Sequence, residues 1–361
     1  MHLIQSGHFR DKQILIIDKD AKSKNDRTWC FWEKEQGIFQ NIVHKEWREL
    51  QFYSDCVDKR LDIVPYTYKL IRGIDFYTHC LSAISSHQNF TFLQASVDDI
   101  FSNAVETGVM INGQKVKCKY VFNSIMFERP VLMANHYWLL QHFKGWFLEA
   151  DSAPFDPNIG TLMDFRTDQS NGSTFFYVLP FSKTEALVEY TLFSPQVLAD
   201  HQYEEALDHY VKKKLGIERF IVKEREFGTI PMTNFRFRFR NNNIINMGTA
   251  GGQTKASSGY TFRFIQKQVS EIVQSLHHHG HPFHVKQQGG RFHFYDSVLL
   301  NILQHRKMEG AYIFSKLFDR NKASRILKFL DNETSLTEEM KILSTLPTIP
   351  FTKAAASHFK A

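Results

Sequence analysis

No stretch of this sequence approaches the roughly 18 consecutive apolar residues that span a bilayer, so no segment is expected to cross a membrane. Cysteine is scarce. Cys30, Cys56, Cys80 and Cys118 lack metal-ligand spacing and come with no signal peptide, which predicts reduced thiols in a cytoplasmic protein and no metal site. Charge is weak as well. A formal net charge of +6 over 361 residues is too mild for a nucleic-acid footprint and suits a weak attraction to anionic lipid.

The front of the chain also lacks a glycine turn. Residues 13–17 (Gln-Ile-Leu-Ile-Ile) read as a buried strand with Asp18 at its carboxyl end. In a dinucleotide-binding βαβ unit a carboxylate there takes the ribose hydroxyls, about 20 residues after a G-x-G-x-x-G turn. Counting back from Asp18 runs off the front, so the first strand and its turn are missing. The expectation is a gap inside the sheet, explained by a start codon assigned too late or by a truncated product. His2–Gly7 reads as the last turn or two of a helix with Gly7 as its cap.

What the sequence does contain is phenylalanine, 33 residues of it, which predicts an aromatic interior or ligand tunnel. Hydrophobic content of 43% and charged content of 23% describe a folded chain, long enough for one large or two ordinary domains. After Arg129-Pro130 strand–helix alternation gives way to long aromatic strands over 137–149, 159–166, 173–179 and 185–193. That change predicts an α/β (α+β) chain: a Rossmann-like domain over 1–130 and 241–300, and an antiparallel-sheet domain inserted over 131–240. A C-terminal helical region follows over 301–361.

Smaller features admit two readings each. Lys69–Tyr77 opens a helix running to about Ser86, Phe227–Met232 reads as a turn, and Phe235–Arg240 alternates strictly between apolar and basic. A solvated strand is preferred there to a lipid-facing edge. His277–His281 is read as polar residues around a Gly280 cap in preference to a metal site. The basic amphipathic stretch Gly310–Leu330 suits either a membrane surface or a helix packed on the core.

The most informative stretch is Met247–Phe262, with Gly248, Gly251, Gly252 and Gly259 between a short strand (Asn243–Asn246) and a helix start (Arg263–Val269). Strand, glycine turn and helix start bring unpaired N–H groups and a positive dipole end to one place, which suits a phosphate or other anion. A loop that merely needs positive φ would look the same. A candidate acid lies at Glu189, on the face of its strand shared with Glu185, Leu187 and Thr191. Among apolar neighbours its pKa would be raised, leaving a usable acid. On the wet face it would be an ordinary carboxylate, and a period of two permits both.

Taken together, seven blocks in order resemble the flavoprotein lycopene cyclases of bacteria, close to the lycopene β-cyclases. They are Asn25–Glu33, Tyr68–Tyr77, Gln141–Trp146, Leu162–Arg166, Val188–Thr191, Gly228–Met232 and Gly248–Phe262. The resemblance covers almost the whole chain. It implies a flavin-monooxygenase-like architecture with an FAD-binding domain and a substrate domain. The implied reaction is redox-neutral cyclisation of the ψ ends of lycopene, or a related linear carotene, to β rings. Reduced FAD would be required, with NAD(P)H as the reductant, on the inner face of a membrane.

The resemblance also implies site residues. Its proton-donating carboxylate falls on Glu189, with Glu226 and Asp164 as secondary acids. Its flavin contacts fall on Gly248, Thr249, Ala250, Gly251, Gly252 and Gly259, and its ribose carboxylate on Asp18 with Arg27 nearby. The chain departs from the family pattern at Ala256, Asn123 and Ile125, and in lacking G-x-G-x-x-G. Rival expectations are an FAD-dependent isoprenoid hydroxylase or epoxidase, and an inactive remnant that binds carotenoid or membrane.

Overall fold

The computed structural model describes residues 1–286 and 290–358. Residues 359–361, at the end of the expected helical region, and 287–289 lie outside the described residues. In chain order the first half comprises α1 (His2–Ser6), β1 (Ile14–Asp18), β2 (Thr28–Glu33), β3 (Lys45–Trp47), β4 (Glu49–Ser54), β5 (Val57–Asp62) and β6 (Thr67–Arg72). Next come α2 (Gly73–Ser85), β7 (Phe90–Gln94), β8 (Val97–Ser102), β9 (Thr107–Ile111), β10 (Gln114–Lys117) and β11 (Val121–Asn123). The large sheet and its covering helix follow as β12 (Trp138–Ala150), β13 (Ile159–Asp164), β14 (Ser173–Pro180), β15 (Glu185–Ser194), α3 (Asp200–His209) and β16 (Phe220–Thr233). The chain closes with β17 (Arg240–Asn241), β18 (Ile244–Asn246), α4 (Phe262–His279), α5 (Arg291–Gln304), α6 (Gly310–Arg320), α7 (Ala323–Leu330), α8 (Leu336–Leu343) and α9 (Thr348–His358).

The first parallel sheet is split. β1 pairs in parallel with β7, and β11 pairs in parallel with β18, but among the described residues no strand joins the two pairs. Ile17 of β1 still packs against the cluster formed by Val109, Ile111, Val121 and Ile244, so one small core serves both halves. Met1, ahead of α1, packs beside Phe31, Ile71 and Phe262. Gly7 closes α1 at φ 70, its N–H donating to Ile4 O at 3.2 Å.

The large sheet runs β16-β12-β15-β14-β13-β4-β5, antiparallel except where β13 lies parallel to β4. Two of its seven strands, β4 and β5, come from the stretch whose pattern suggested the first domain. Strand alternation gives the sheet two apolar faces. Leu187, Phe175, Tyr177 and Phe193 face a core shared with α5, α6 and α7. Val188, Phe176, Tyr190 and Leu192 face α3 and the π-helical turn Tyr210–Lys214 that extends it.

Three local readings are corrected. Phe227–Met232 is not a turn but lies in the second half of β16, a 14-residue strand at the sheet edge. Pro231 is tolerated there because an edge strand needs no ladder donor on its outer side. Only Arg240 of Phe235–Arg240 enters a strand; Phe235 and Phe237 stack edge-on at 5.1 Å instead, and no neighbouring strand pairs with them. Lys69–Arg72 belongs to β6, and α2 starts at Gly73. The Gly310–Leu330 stretch packs on the core through Ile313, Phe314, Phe318, Ile326 and Leu327.

Candidate active site

On β12 the residue at the centre of the site has no side chain. Gly145 stands directly across from Glu189 on β15 and from Glu226 on β16. Two carboxyls from different strands therefore converge over one glycine. A Cβ on Gly145 would come within 3.0 Å of Glu226 Cγ and 2.9 Å of Leu187 Cδ1, so the pair depends on that space. Glu226 is buried, and its Oε2 accepts from Thr28 Oγ1 at 2.7 Å. Glu189 is half-buried, and its Oε1 accepts from Thr191 Oγ1 at 2.6 Å.

Proton affinity in this pair is high. Burial pushes Glu189 well above the usual carboxylate range, and the charge of Glu226 beside it pushes further. Burial likewise lifts Glu226 to about 7, while the hydroxyl of Thr28 pulls it down. With the two carboxyls facing each other across Gly145, ionising one strengthens the other's hold on its proton. Glu226 Oε1 has no hydrogen-bond partner.

Aromatic hydroxyls and a thiol surround the pair. Tyr177 on β14 lies across from Glu189 on its other side. Tyr260 OH lies 3.5 Å from Tyr177 OH and 3.2 Å from Tyr68 OH. Burial raises Tyr68 and Tyr177 far above the ordinary phenol range, so they stay neutral. Burial raises Cys30 strongly too, with the charges of Glu189 and Glu226 adding to it. Sequence reading missed Tyr68, Tyr177, Tyr260, Cys30 and Thr28, although Cys30, Tyr68, Tyr260 and Thr28 lie inside the blocks that carried the resemblance.

The glycine turn meets the same face. Gly248, Gly252 and Gly259 adopt φ of 59, 74 and 72, values that favour glycine. A Cβ at Gly251 would lie 2.3 Å from Asn246 O, and one at Gly259 would lie 1.8 Å from Gln141 Oε1. Gln141 is on β12, one helical-free step of four residues from Gly145 and on the same face. The turn leads into α4, whose first turn receives no side-chain cap. Thr261 spends its hydroxyl on Gly259 O and Thr254 Oγ1 instead. A glycine cradle beside uncapped helix N–H groups fits the anionic or amide edge of a flavin. Lys255 anchors the turn through a buried 2.6 Å ion pair with Asp296 of α5.

At the other end, Asp18 closes β1 and pairs with Lys22 at 3.0 Å, and its Oδ1 accepts from Asp20 N. Arg27 is bidentate to Asp26 Oδ2 at 2.7 and 3.1 Å. Asp164 does not join the acid pair. It is wholly buried on the opposite face of the large sheet, held by Arg166 Nε and Nη2 at 2.9 and 2.7 Å and by Tyr210 OH at 2.7 Å. Its neighbours are ion-pair partners and the Phe176–Tyr190 stack, not the site.

An apolar cavity of about 350 Å³ adjoins Tyr260. Trp32, Leu162, Phe314, Leu327 and Phe351 are among the side chains around it, so the sheet, the glycine turn and the C-terminal helices all contribute. Trp32 meets Tyr260 edge-on at 4.5 Å. One ring thus separates the cavity from the hydroxyl cluster beside Glu189.

Residues 7–356 match the family described as lycopene cyclase protein. No curated relative matches the chain. Among solved structures it is similar to a geranylgeranyl bacteriochlorophyll reductase-like protein from Thermoplasma acidophilum, at 12% identity and TM-score 0.55, covering 99% of this chain and 93% of that one. A flavin-dependent halogenase from Xanthomonas campestris gives 10% identity and TM-score 0.56, covering 99% and 91%. A probable FAD-dependent monooxygenase from Pseudomonas aeruginosa gives 14% and 0.51, covering 85% and 93%. At these identities the likeness is one of fold, and the fold is flavin-monooxygenase-like.

Proposed function

Because the chain belongs to the lycopene cyclase protein family, we propose that it is a lycopene β-cyclase, closing the ψ ends of lycopene or a related linear carotene into β rings without net redox change. The observation that carries this reading is the Glu189–Glu226 pair over Gly145. Ring closure begins when an acid protonates a terminal alkene, and that needs a carboxyl still protonated at neutral pH. Burial and the neighbouring carboxyl supply that condition at Glu189.

Glu189 is the proposed donor. Delivery of its proton makes a tertiary carbocation, which an internal double bond attacks to form the ring. Loss of a ring proton then sets the new double bond, so hydrogen count and oxidation level are unchanged. Glu226 keeps the proton on its neighbour, since two adjacent negative charges are costly in a buried site. The faces of Tyr68, Tyr177 and Tyr260 stabilise positive charge and keep water from capturing it. Gly248, Thr249, Ala250, Gly251, Gly252 and Gly259 would hold FAD, with Asp18 and Arg27 towards its adenosine end. Once bound there and kept reduced by NAD(P)H, FAD would supply negative charge that favours the cation.

The substrate is a long hydrocarbon, and the aromatic cavity beyond Tyr260 suits one. No helix among the described residues is long and apolar enough to cross a membrane. Leu336, Met340 and Ile349 are exposed on α8 and α9, helices that also line the cavity. They support peripheral contact with a membrane surface, from which a carotene would enter. Anaerobic incubation with dithionite-reduced FAD tests the reading against an FAD-dependent hydroxylase or epoxidase. A cyclase forms rings under those conditions, whereas an oxygenase forms no product.

A further inference from the structure

Ring closure ends with a proton leaving the new ring, and that proton needs an acceptor within the dry pocket. The phenols of Tyr68, Tyr177 and Tyr260 and the thiol of Cys30 are all pushed up by burial, so they stay protonated and accept poorly. Glu226 is different. It is 4% exposed, its Oε2 is occupied by Thr28 Oγ1 at 2.7 Å, and its Oε1 has no hydrogen-bond partner. A buried carboxyl oxygen left unpaired is costly, and accepting a proton is a use for it.

Its place in the fold lies on the way from the cavity. Thr28, Cys30 and Trp32 alternate along β2 and so share one face. Trp32 lines the apolar cavity, Cys30 feels the charge of both glutamates, and Thr28 holds Glu226. β2 therefore runs from the cavity wall to Glu226, and Gly145 puts no side chain between Glu226 and Glu189. Burial lifts both carboxyls, but Glu226 only to about 7, since the Thr28 hydroxyl stabilises its charge. Glu226 is thus the one that stands ionised while Glu189 holds its proton.

We propose that Glu226 is the base of the ring-closing reaction, and that its Oε1, positioned through Thr28, selects which ring proton is lost. This deepens the cyclase reading and rests on it. Glu189 gives its proton to the terminal alkene, and the inner double bond closes the ring, leaving the positive charge on a ring carbon. C–H bonds on three neighbouring carbons can then break: the carbon that made the new bond, the ring methylene, and the methyl group. Only the first gives a β ring, and the others give isomers with the double bond elsewhere. Glu226 takes the proton of the first, the C–H electrons become the ring double bond, and no electrons enter or leave. Solvent then removes the proton from Glu226 and returns one to Glu189. Thr28 touches no reacting atom and is a positioning residue.

The test is the isomer ratio of the product, which a merely structural role would leave unmoved. The full-length protein, with reduced FAD and lycopene, is compared by chromatography with Glu226→Gln, Glu226→Asp and Thr28→Val proteins of matched melting temperature and flavin content. The native protein should give β rings with isomers at trace level. Glu226→Gln should lose on the order of 100-fold in β-ring formation, with isomeric rings the larger share of what remains. Glu226→Asp should recover part of the rate. Thr28→Val should raise the isomeric share on the order of tenfold, the worth of one hydrogen bond to a charged group. β rings formed by Glu226→Gln at the native rate, or an unchanged ratio in Thr28→Val, would overturn the proposal. If Glu226→Gln makes no ring at all, the Thr28→Val ratio decides by itself. Native protein that forms no ring overturns the cyclase reading and the proposal with it, whereas native β rings with unmoved ratios remove only Glu226 from the role of base.

Discussion

Glu189 and Glu226 sit on strands that do not pair with each other, yet each lies directly across from Gly145 of the strand between them. The missing side chain at that one position is what leaves room for the two carboxyls to converge. A pair arranged this way is an acid whose strength is set by its neighbour and by the dryness of its surroundings.

Gly145→Ala tests the space. The added methyl would sit 3.0 Å from Glu226 Cγ and 3.2 Å from its Oε1, so Glu226 or the strand must shift. Overpacking of this kind costs about 1–3 kcal/mol. Ring formation is expected to fall about 10- to 100-fold in protein that still folds, because geometry in the pair is disturbed. Product per folded enzyme, with a thermal melt alongside, reads both effects.

The pair also predicts how stability varies with pH. Glu226 is raised from 4.5 to about 7 in the folded protein, so the native state binds a proton that the unfolded state has released. Its contribution is complete below the unfolded value of 4.5, falls as pH rises, and is gone above about 7. Glu189, raised further, extends the decline to higher pH. Glu226→Gln should flatten the first part of this slope, as read by urea midpoints taken from about pH 5 to about pH 8.

Asp164 makes the contrast. It is paired with the partly exposed Arg166 and accepts a hydrogen bond from Tyr210, on the far face of the sheet. Asp164→Asn is expected to cost about 1–3 kcal/mol of stability. The pH profile of ring formation in the folded fraction should stay as in the native protein, which a proton-donating role for Asp164 would not allow.

Much of the architecture was legible in the sequence. The long strands β12, β14 and β15 announce themselves through aromatic runs. β16 was hidden because Gly228 and Pro231 carry turn chemistry, and only the sheet order reveals it as an edge strand that tolerates them. At the site, Glu189 and Glu226 could be named one by one. Their meeting could not, because strand register is a property of pairing across long separations and no local pattern encodes it. Asp164 misled for a related reason: a carboxylate in an aromatic strand looks the same whether it faces a reaction or an arginine two residues on.

The central claim is that Glu189 delivers a proton that ends in the product, and ring formation in D2O tests it most directly. Lycopene is incubated anaerobically with the protein and reduced FAD in D2O, and the cyclised product is weighed by mass spectrometry. The account predicts one solvent-derived deuterium per ring formed, and no cyclised product from Glu189→Gln protein that melts and binds flavin as the native protein does. Rings that carry no deuterium, or rings still formed by the Glu189→Gln variant, would contradict it.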